Sequence, residues 1–173
     1  VMVVDTILFG DCRETLKEFD GKARTCVTSP PYYGLRDYGG EESQIGQEQT
    51  PEEYIQNLVE VFRSVRDVLT DDGTLWVNIG DSYYNYRPGK GQALPKQTVS
   101  KTKQDLPDKC AKRGNKLEGL KEKDLIGIPW MLAFALRADG WYLRQDIIWH
   151  KPNPMPESVK DRCTKSHLSL IHI

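Results

Sequence analysis

Strand-like and helix-like apolar segments alternate along this chain, and the alternation constrains its fold more than any other feature. Short apolar runs at 22–28, 74–79 and 141–149 have the length and composition of strands. Between them, apolar residues recur every three or four positions after Thr50 and again at about 123–138, as on the buried face of a helix. At 173 residues the chain can form one domain with a substantial core. The order strand, helix, strand, helix, strand predicts an α/β fold with a mainly parallel sheet.

The first long helix has local start and stop signals. Thr50 suits the N-cap, Pro51 suits the first turn, and Glu53 completes a capping box. The Asp-Gly pair at 72–73 predicts the end of this helix, just before the second strand. The other expected elements are a short strand or edge segment at 5–9, helical spacing at 12–19 and a polar, glycine-rich loop at 34–49.

Two consecutive prolines, Pro30 and Pro31, end the first apolar run abruptly. Each fixes φ and lacks an N–H, so a buried strand cannot continue through them. In open α/β sheets this end of a strand borders the ligand crevice. The loop keeps its carbonyl acceptors, while Ser29 adds a hydroxyl and Tyr32 a flat ring. Such a loop suits a planar group held through an NH₂; a Pro-Pro turn with a packing tyrosine is the alternative.

Charge is unevenly distributed along the chain. The net charge is −1, but 87–123 contains eleven Lys and Arg against four Asp and Glu, a local charge of +7 that leaves −8 for the remainder. The stretch at 87–122 is rich in Gly, Pro, Lys and Gln, so we expect an insertion loop without a core of its own. A basic arm on an acidic body is typical of a phosphate-binding segment. A solvated loop is the alternative, and both readings hold if the loop orders on nucleic acid.

The cysteines and the apolar segments exclude some other classes. The four cysteines, at 12, 26, 110 and 163, include no C-x-x-C pair, so no metal site is predicted. Nothing resembles a signal peptide or a membrane span, so a cytoplasmic location is expected.

The sequence Thr-Ser-Pro-Pro-Tyr at 28–32 resembles the catalytic motif of the DNA amino-methyltransferases, which methylate cytosine N4 or adenine N6. The segments at 10–12, 73–81 and 146–153 resemble the same family, in order. The resemblance implies a Rossmann-like methyltransferase, a three-layer sandwich that uses S-adenosylmethionine as cofactor and double-stranded DNA as substrate. A serine at position 29 favours cytosine N4, and adenine N6 is the alternative.

The resemblance also implies roles for individual residues. The catalytic loop would comprise Ser29, Pro30, Pro31 and Tyr32; the cofactor side Asp11, Cys12, Thr28 and Ser29; and the base side Tyr32, Trp149, Lys151 and Asn153. Asp81 could line the same crevice or serve in a turn. Structural alternatives are a capping aspartate for Asp11, a core aromatic for Trp149 and a surface lysine for Lys151.

The resemblance limits what the chain can do alone. The family variant with this motif near the N-terminus carries its donor-binding glycine turn later, and no such turn is found here. We therefore expect 1–167 to be a partial catalytic domain, inactive alone, without half of the cofactor site and a central strand. Residues 168–173 resemble a sequencing adapter and are expected to be a non-native tail.

Other functions stay open from the sequence. Methylation of an amine in RNA or protein is a second enzymatic reading, and a non-catalytic DNA-binding fragment is a reading of another class. A cognate restriction endonuclease is a candidate partner, and the oligomeric state is left open.

Overall fold

The computed structural model describes residues 7–35, 44–84, 117, 119–153 and, for the backbone alone, 167–172. The elements in chain order are α1 (Cys12–Thr15), β1 (Ala23–Thr28), α2 (Pro51–Val68), β2 (Leu69–Ile79), α3 (Ile128–Ala138), β3 (Gln145–His150) and β4 (His167–His172). None of the helices within these ranges is both long and apolar enough to cross a membrane.

The strands form one sheet in the order β1-β2-β4-β3. β1 and β2 pair in parallel, with Cys26 opposite Leu75, because α2 provides the crossover between them. β4 runs antiparallel to both β2 and β3. It follows that β1, β2 and β3, the strands predicted from the sequence, all run in the same direction.

β4 lies almost wholly in the segment at 168–173. Because this segment is predicted to be a non-native tail, it has no place in the predicted fold. In the structure its backbone pairs with a strand on each side, with Leu170 opposite Asn78 and Ile147. The origin of these residues stays a prediction, and the strand that they form was not anticipated.

Helix α2 begins as its sequence predicts. The Thr50 hydroxyl accepts from the Glu53 amide at 3.2 Å, and the Glu53 carboxylate accepts from the Thr50 amide at 3.2 Å, so the capping box is confirmed. Its apolar face packs with α3 against alternate residues of β2; the fully buried members of this core include Tyr54, Leu58, Phe62, Leu75, Val77, Ile79, Ile128, Leu132 and Leu136. Both helices therefore cover the same face of the sheet.

The opposite face of the sheet is open in the described part of the chain. Val27 on β1 is 72% exposed and Trp149 on β3 is 56% exposed. The described residues thus supply the sheet and one helix layer of the three-layer sandwich. The prediction that 22–28 is a buried strand is wrong for this structure, because β1 lies at the edge of the sheet and packs on one face only.

Several predicted boundaries are also wrong. α2 ends at Val68 and β2 begins at once, so 72–73 lies within β2, where the register with β1 shifts. Gly73 suits this irregularity, because a Cβ there would lie 2.8 Å from the Thr70 carbonyl oxygen. α3 begins at Ile128 rather than near 123, and α1 is only four residues long. Residues 7–9 form no strand, and 5–6 lie outside the described residues.

Candidate active site

The predicted catalytic loop begins where β1 ends, directly after Thr28. Pro30 is buried, Ser29 is exposed, and Tyr32 is half-buried. The Ser29 hydroxyl donates to the Tyr32 hydroxyl at 3.5 Å, a long hydrogen bond. The structure therefore brings together Ser29 and Tyr32, two of the residues predicted for the catalytic loop.

Of the carbonyl acceptors expected in this loop, the one on Pro31 is engaged internally. The Tyr54 hydroxyl donates to it at 2.7 Å from α2. The Pro30 carbonyl accepts no hydrogen bond from any of the described residues, so the acceptor assigned to the substrate amine is not taken up by them. The contact from Tyr54 could not be predicted from the sequence, because the position of Tyr54 on the apolar face of α2 indicates only a buried core residue.

The segment at 44–49 packs against the loop. The Gly34 amide donates to the Gly46 carbonyl at 2.9 Å. Gly46 has a φ of 99°, and a Cβ there would lie 3.2 Å from the Tyr32 carbonyl oxygen. Glu48 accepts from the Gly46 amide at 2.8 Å and from the Asn57 side chain at 2.9 Å. Helix α2 thus anchors this segment as well as the Pro31 carbonyl.

Tyr33 and Tyr54 form a tilted ring pair with centroids 5.5 Å apart. Burial, with the charges of nearby glutamates second, raises the pKa of Tyr33 to about 12. Burial also raises the pKa of Tyr54. Both hydroxyls therefore stay protonated near neutral pH and can act as donors. Ser82 fixes the backbone here by donating from its hydroxyl to the Tyr33 carbonyl at 2.9 Å.

Asp11 has the structural role that the sequence left as its alternative. It is the N-cap of α1 and accepts from the Arg13 amide at 2.9 Å and from the Arg13 Nε at 3.0 Å. The side-chain hydrogen bond from Arg13 lowers the pKa of Asp11 to about 2, so the carboxylate is ionised. A surface pocket of about 360 Å³ is lined by Asp11, Arg13, Glu14, Lys17, Glu60 and Ser64, and by none of the loop residues 28–32.

Cys12, the second predicted cofactor residue, follows Asp11 in the first turn of α1. Desolvation, followed by the charge of Asp11, raises the pKa of its thiol. The thiol therefore stays protonated, which does not favour a nucleophilic role.

Asp81 caps α3 across a long sequence separation. Its carboxylate accepts from the amides of Gly127 and Ile128, both at 3.0 Å, and from the Ser82 amide at 2.8 Å. Gly127, the N-cap residue, has no side chain with which to do this. The structure thus engages the Asp81 carboxylate in capping α3.

Three of the four predicted base-side residues, Trp149, Lys151 and Asn153, lie at the edge of the sheet opposite to the loop that contains Tyr32. Trp149 is 56% exposed, so it is not a core aromatic in the described structure, and Lys151 and Asn153 are exposed beyond β3. Because β1 and β3 run in the same direction, these residues share the carboxyl end of the sheet with the loop. Three strand spacings separate the two sets, or about 14 Å.

Among the described residues, no three His, Cys, Asp or Glu side chains lie close enough together to hold a metal ion. The basic insertion predicted at 87–122 lies almost entirely outside the described residues.

A parallel βαβ pair with a Ser-Pro-Pro-Tyr loop at its carboxyl edge is the arrangement on which the family resemblance depends. Residues 23–173 match the family model described as DNA methylase, of the N6/N4 class. The chain therefore belongs to the DNA methylase family, and the family predicted from its motifs is confirmed.

Named relatives agree with this membership. The chain is 53% identical over 163 residues to the Type II methyltransferase M.Cfr9I of Citrobacter freundii, covering 94% of this chain and 51% of that protein. It is 52% identical over 167 residues to the Type II methyltransferase M.SmaI of Serratia marcescens, covering 93% of this chain and 52% of that protein. The chain thus spans about half the length of these relatives.

Solved structures support the fold. The PvuII DNA methyltransferase (cytosine-N4-specific) matches with a TM-score of 0.58 at 16% identity, over 94% of this chain and 46% of that one. A putative DNA modification methylase from Thermus thermophilus, solved with S-adenosyl-L-methionine, matches with a TM-score of 0.56 at 20% identity, over 94% and 50%. The predicted Rossmann-like methyltransferase fold is confirmed.

Proposed function

We propose that the protein carrying this chain is an S-adenosylmethionine-dependent DNA methyltransferase that modifies the exocyclic amine of a flipped base, with cytosine N4 favoured. The observation that carries the proposal is the loop after β1, which places the Ser29 and Tyr32 hydroxyls together beside a Pro30 carbonyl not engaged by the described residues. The serine at position 29 favours cytosine, and adenine N6 is the second candidate target.

Polar acceptors are what an amine of this kind needs. The lone pair of a nucleobase amine is delocalised into the ring, which makes the nitrogen a poor nucleophile. The Ser29 hydroxyl and the Pro30 carbonyl would accept its two N–H bonds and stabilise the positive charge that develops on nitrogen. In the transfer step the amine nitrogen would form a bond to the methyl carbon while the bond from that carbon to the sulfonium sulfur breaks. The thioether S-adenosylhomocysteine would leave, and one N–H proton would be released to solvent.

Aromatic and basic residues would hold the flipped base and its backbone. Tyr32 is half-buried next to the acceptors and would stack on the base, which offsets part of the cost of unpairing it. Trp149, Lys151 and Asn153 are exposed at the same end of the sheet, where they would contact the DNA around the target.

The residues assigned to the cofactor fit part of such a site. Asp11 is ionised and accessible, so it could accept from a ribose hydroxyl or an adenine amine, and Phe9 beside it is 89% exposed. Cys12 adjoins this acceptor, and Thr28 and Ser29 lie at the carboxyl end of β1. When bound, S-adenosylmethionine would supply an electrophilic methyl group on its sulfonium.

The test uses the complete open reading frame that carries this sequence. The purified product is incubated with labelled S-adenosylmethionine and, separately, with DNA, RNA and protein acceptors. We expect label in DNA and N4-methylcytosine in its nucleoside digest. N6-methyladenine would instead select the second target, and label confined to RNA or protein would contradict the proposal.

A second function is proposed for the chain on its own: DNA binding without catalysis. The observations that favour it are the net charge of +7 over residues 87–123 and the exposure of Trp149, Lys151 and Asn153 at the carboxyl end of the sheet. The restriction endonuclease named above as a candidate partner stays a proposal, supported by the Type II names of the relatives.

A further inference from the structure

Tyr54 connects the core to the loop that follows β1. Its side chain is 0% exposed, and its hydroxyl donates to the Pro31 carbonyl at 2.7 Å. The donor comes from the first turns of α2, a helix whose start is fixed by a complete capping box. Helix α2 therefore holds the centre of the loop at 28–32 through a buried hydrogen-bond donor.

This hydrogen bond acts on the torsion that decides where Tyr32 lies. The pyrrolidine ring already fixes φ of Pro31, so ψ is the free backbone torsion of that residue. Holding the Pro31 carbonyl holds ψ, and with it the plane of the peptide bond that leads into Tyr32. The same restraint limits how the preceding Pro30 carbonyl can turn.

The loop is confined from the other side as well. The Leu35 amide donates to the Tyr32 carbonyl at 3.2 Å, which closes a turn. Gly46 lies against that carbonyl: a Cβ there would lie 3.2 Å from the carbonyl oxygen, and its φ of 99° disfavours any larger residue. Asn57, one helical turn after Tyr54, holds Gly46 through Glu48. Two residues on one face of α2 thus control both sides of Tyr32.

We propose that Tyr54 is a positioning residue for methyl transfer: through the Pro31 carbonyl it fixes the orientation of Tyr32 and of the Pro30 carbonyl. This inference rests on the proposed function of the loop. Tyr54 does not touch the base; it sets the geometry of the groups that do.

The test compares two identical substitutions in the complete gene product. Tyr54→Phe removes one hydroxyl and keeps the buried ring. Tyr84→Phe is the matched control, since its ring is also buried and its hydroxyl accepts from the Leu117 amide at 3.0 Å. Hydrogen exchange of the peptide covering residues 28–35 reports loop order, and steady-state kinetics report catalysis.

We expect exchange in residues 28–35 to become roughly tenfold faster in Tyr54→Phe and to stay within about twofold of wild type in Tyr84→Phe. The kcat of Tyr54→Phe should fall by roughly 10- to 100-fold, because small displacements of positioned groups have effects of this order. The KM for S-adenosylmethionine should stay within about twofold. A purely structural role would lower the melting temperature without this separation of kcat from KM.

The two proposals fail in different ways. If wild-type protein methylates no DNA, the proposed function fails, and the exchange measurement still decides whether Tyr54 orders the loop. If DNA is methylated but Tyr54→Phe keeps wild-type exchange and kcat, the positioning role is overturned. Should Tyr54→Phe fail to fold, Asn57→Ala weakens the same anchorage from Gly46; unchanged exchange and kcat in that variant would overturn it too.

Discussion

At the scale of single residues, two kinds of residue can be distinguished around the loop at 28–32: buried residues that support the loop, and accessible residues that the loop exposes to a substrate. Pro30 is buried and Tyr54 is fully buried, whereas Ser29 is exposed and Tyr32 half-buried. The supporting residues would affect reaction geometry, and the presented ones would affect contact with the base. Substitutions in the two groups should therefore differ in kind.

The first prediction at this scale concerns the removal of the Ser29 hydroxyl. Ser29→Ala should lower kcat in the complete gene product by roughly 100-fold, the magnitude found when one preorganised polar partner of a transition state is removed. The measurement is transfer of labelled methyl to DNA. Thr25→Val is the control, because it removes a hydroxyl from β1, the strand that precedes the loop, where that hydroxyl bonds to the Thr74 hydroxyl at 2.6 Å. Equal losses in both variants would contradict a specific role.

Stacking by Tyr32 gives a second prediction. Tyr32→Ala should weaken binding of substrate DNA by about 1–3 kcal/mol, the range measured for base–aromatic stacking. Tyr32→Phe keeps the ring and should retain most of the affinity, although it loses the partner of the Ser29 hydroxyl. Fluorescence anisotropy with labelled DNA checks both variants. If the alanine and phenylalanine variants bind alike, the ring does not stack on the base.

At the scale of elements, α2 and α3 are joined by charge as well as by apolar packing. Asp139, the C-cap of α3, accepts from Arg63 Nε at 2.7 Å, and Arg66 donates to its backbone carbonyl at 2.8 Å. The Asp139 side chain is 11% exposed, while the two arginines remain largely accessible. This contact lies at the opposite end of α3 from Asp81.

The Asp139 contact should depend on pH. The hydrogen bond from Arg63 lowers the pKa of Asp139. A depressed pKa in the folded state stabilises the fold at pH values above the ordinary carboxyl pKa, and the benefit is lost as pH falls through the folded-state pKa. Thermal unfolding of Asp139→Asn should therefore differ most from wild type near neutral pH, and the difference should shrink below about pH 4. A constant difference down to about pH 2 would contradict this assignment.

The Asp81 cap provides a second prediction at this scale. Asp81→Ala removes the acceptor for three backbone amides and should lower the free energy of unfolding by about 2 kcal/mol, as for losses of strong helix caps. Asp81→Asn keeps one acceptor oxygen and should lose less. Urea titration measures both; identical losses would show that the cap is not what stabilises the start of α3.

These two helices show which parts of the fold a sequence can predict. The start of α2 depends on Thr50 and Glu53, three residues apart, so it could be predicted and is confirmed. The start of α3 depends on Asp81, which lies 46 residues away from Gly127 in the chain, and no local pattern indicates it. The exposure of β1 depends on which elements flank it, and that also is not a local property.

The same distinction applies to the candidate site. The loop at 28–32 could be predicted, because its prolines and its position after an apolar run are adjacent in sequence. Tyr54 and Gly46 could not, because they act on the loop from other segments. The contact between Asp11 and the cofactor stays a prediction. Its pairing with Arg13, two residues away, could not be predicted, because the pair forms only once the chain turns into α1.

At the scale of the whole molecule, the described residues form a sheet with helices on one face. The chain spans about half the length of the relatives that it matches. Two of its four predicted donor-side residues, Asp11 and Cys12, lie outside the loop that would hold the base, whereas Thr28 and Ser29 lie at its start. The proposed division is therefore between a base side that this chain largely supplies and a donor side that it supplies in part.

Cofactor affinity tests that division. By isothermal titration calorimetry, the chain alone should bind S-adenosylmethionine weakly, with a Kd above roughly 1 mM, or about −4 kcal/mol. The complete gene product should bind roughly 100-fold more tightly or better, a difference of about 3 kcal/mol. Circular dichroism confirms that each sample is folded before titration. Micromolar binding by the chain alone would show that these residues suffice for the donor site.

The outer edge of β1 also has a consequence for handling the isolated chain. Its backbone N–H and C=O groups face away from β2 without a partner strand among the described residues, and Val27 beside them is 72% exposed. Unprotected edges of this kind recruit strands from other molecules. Samples of the chain alone should therefore self-associate as concentration rises, through the strand that leads into the predicted catalytic loop.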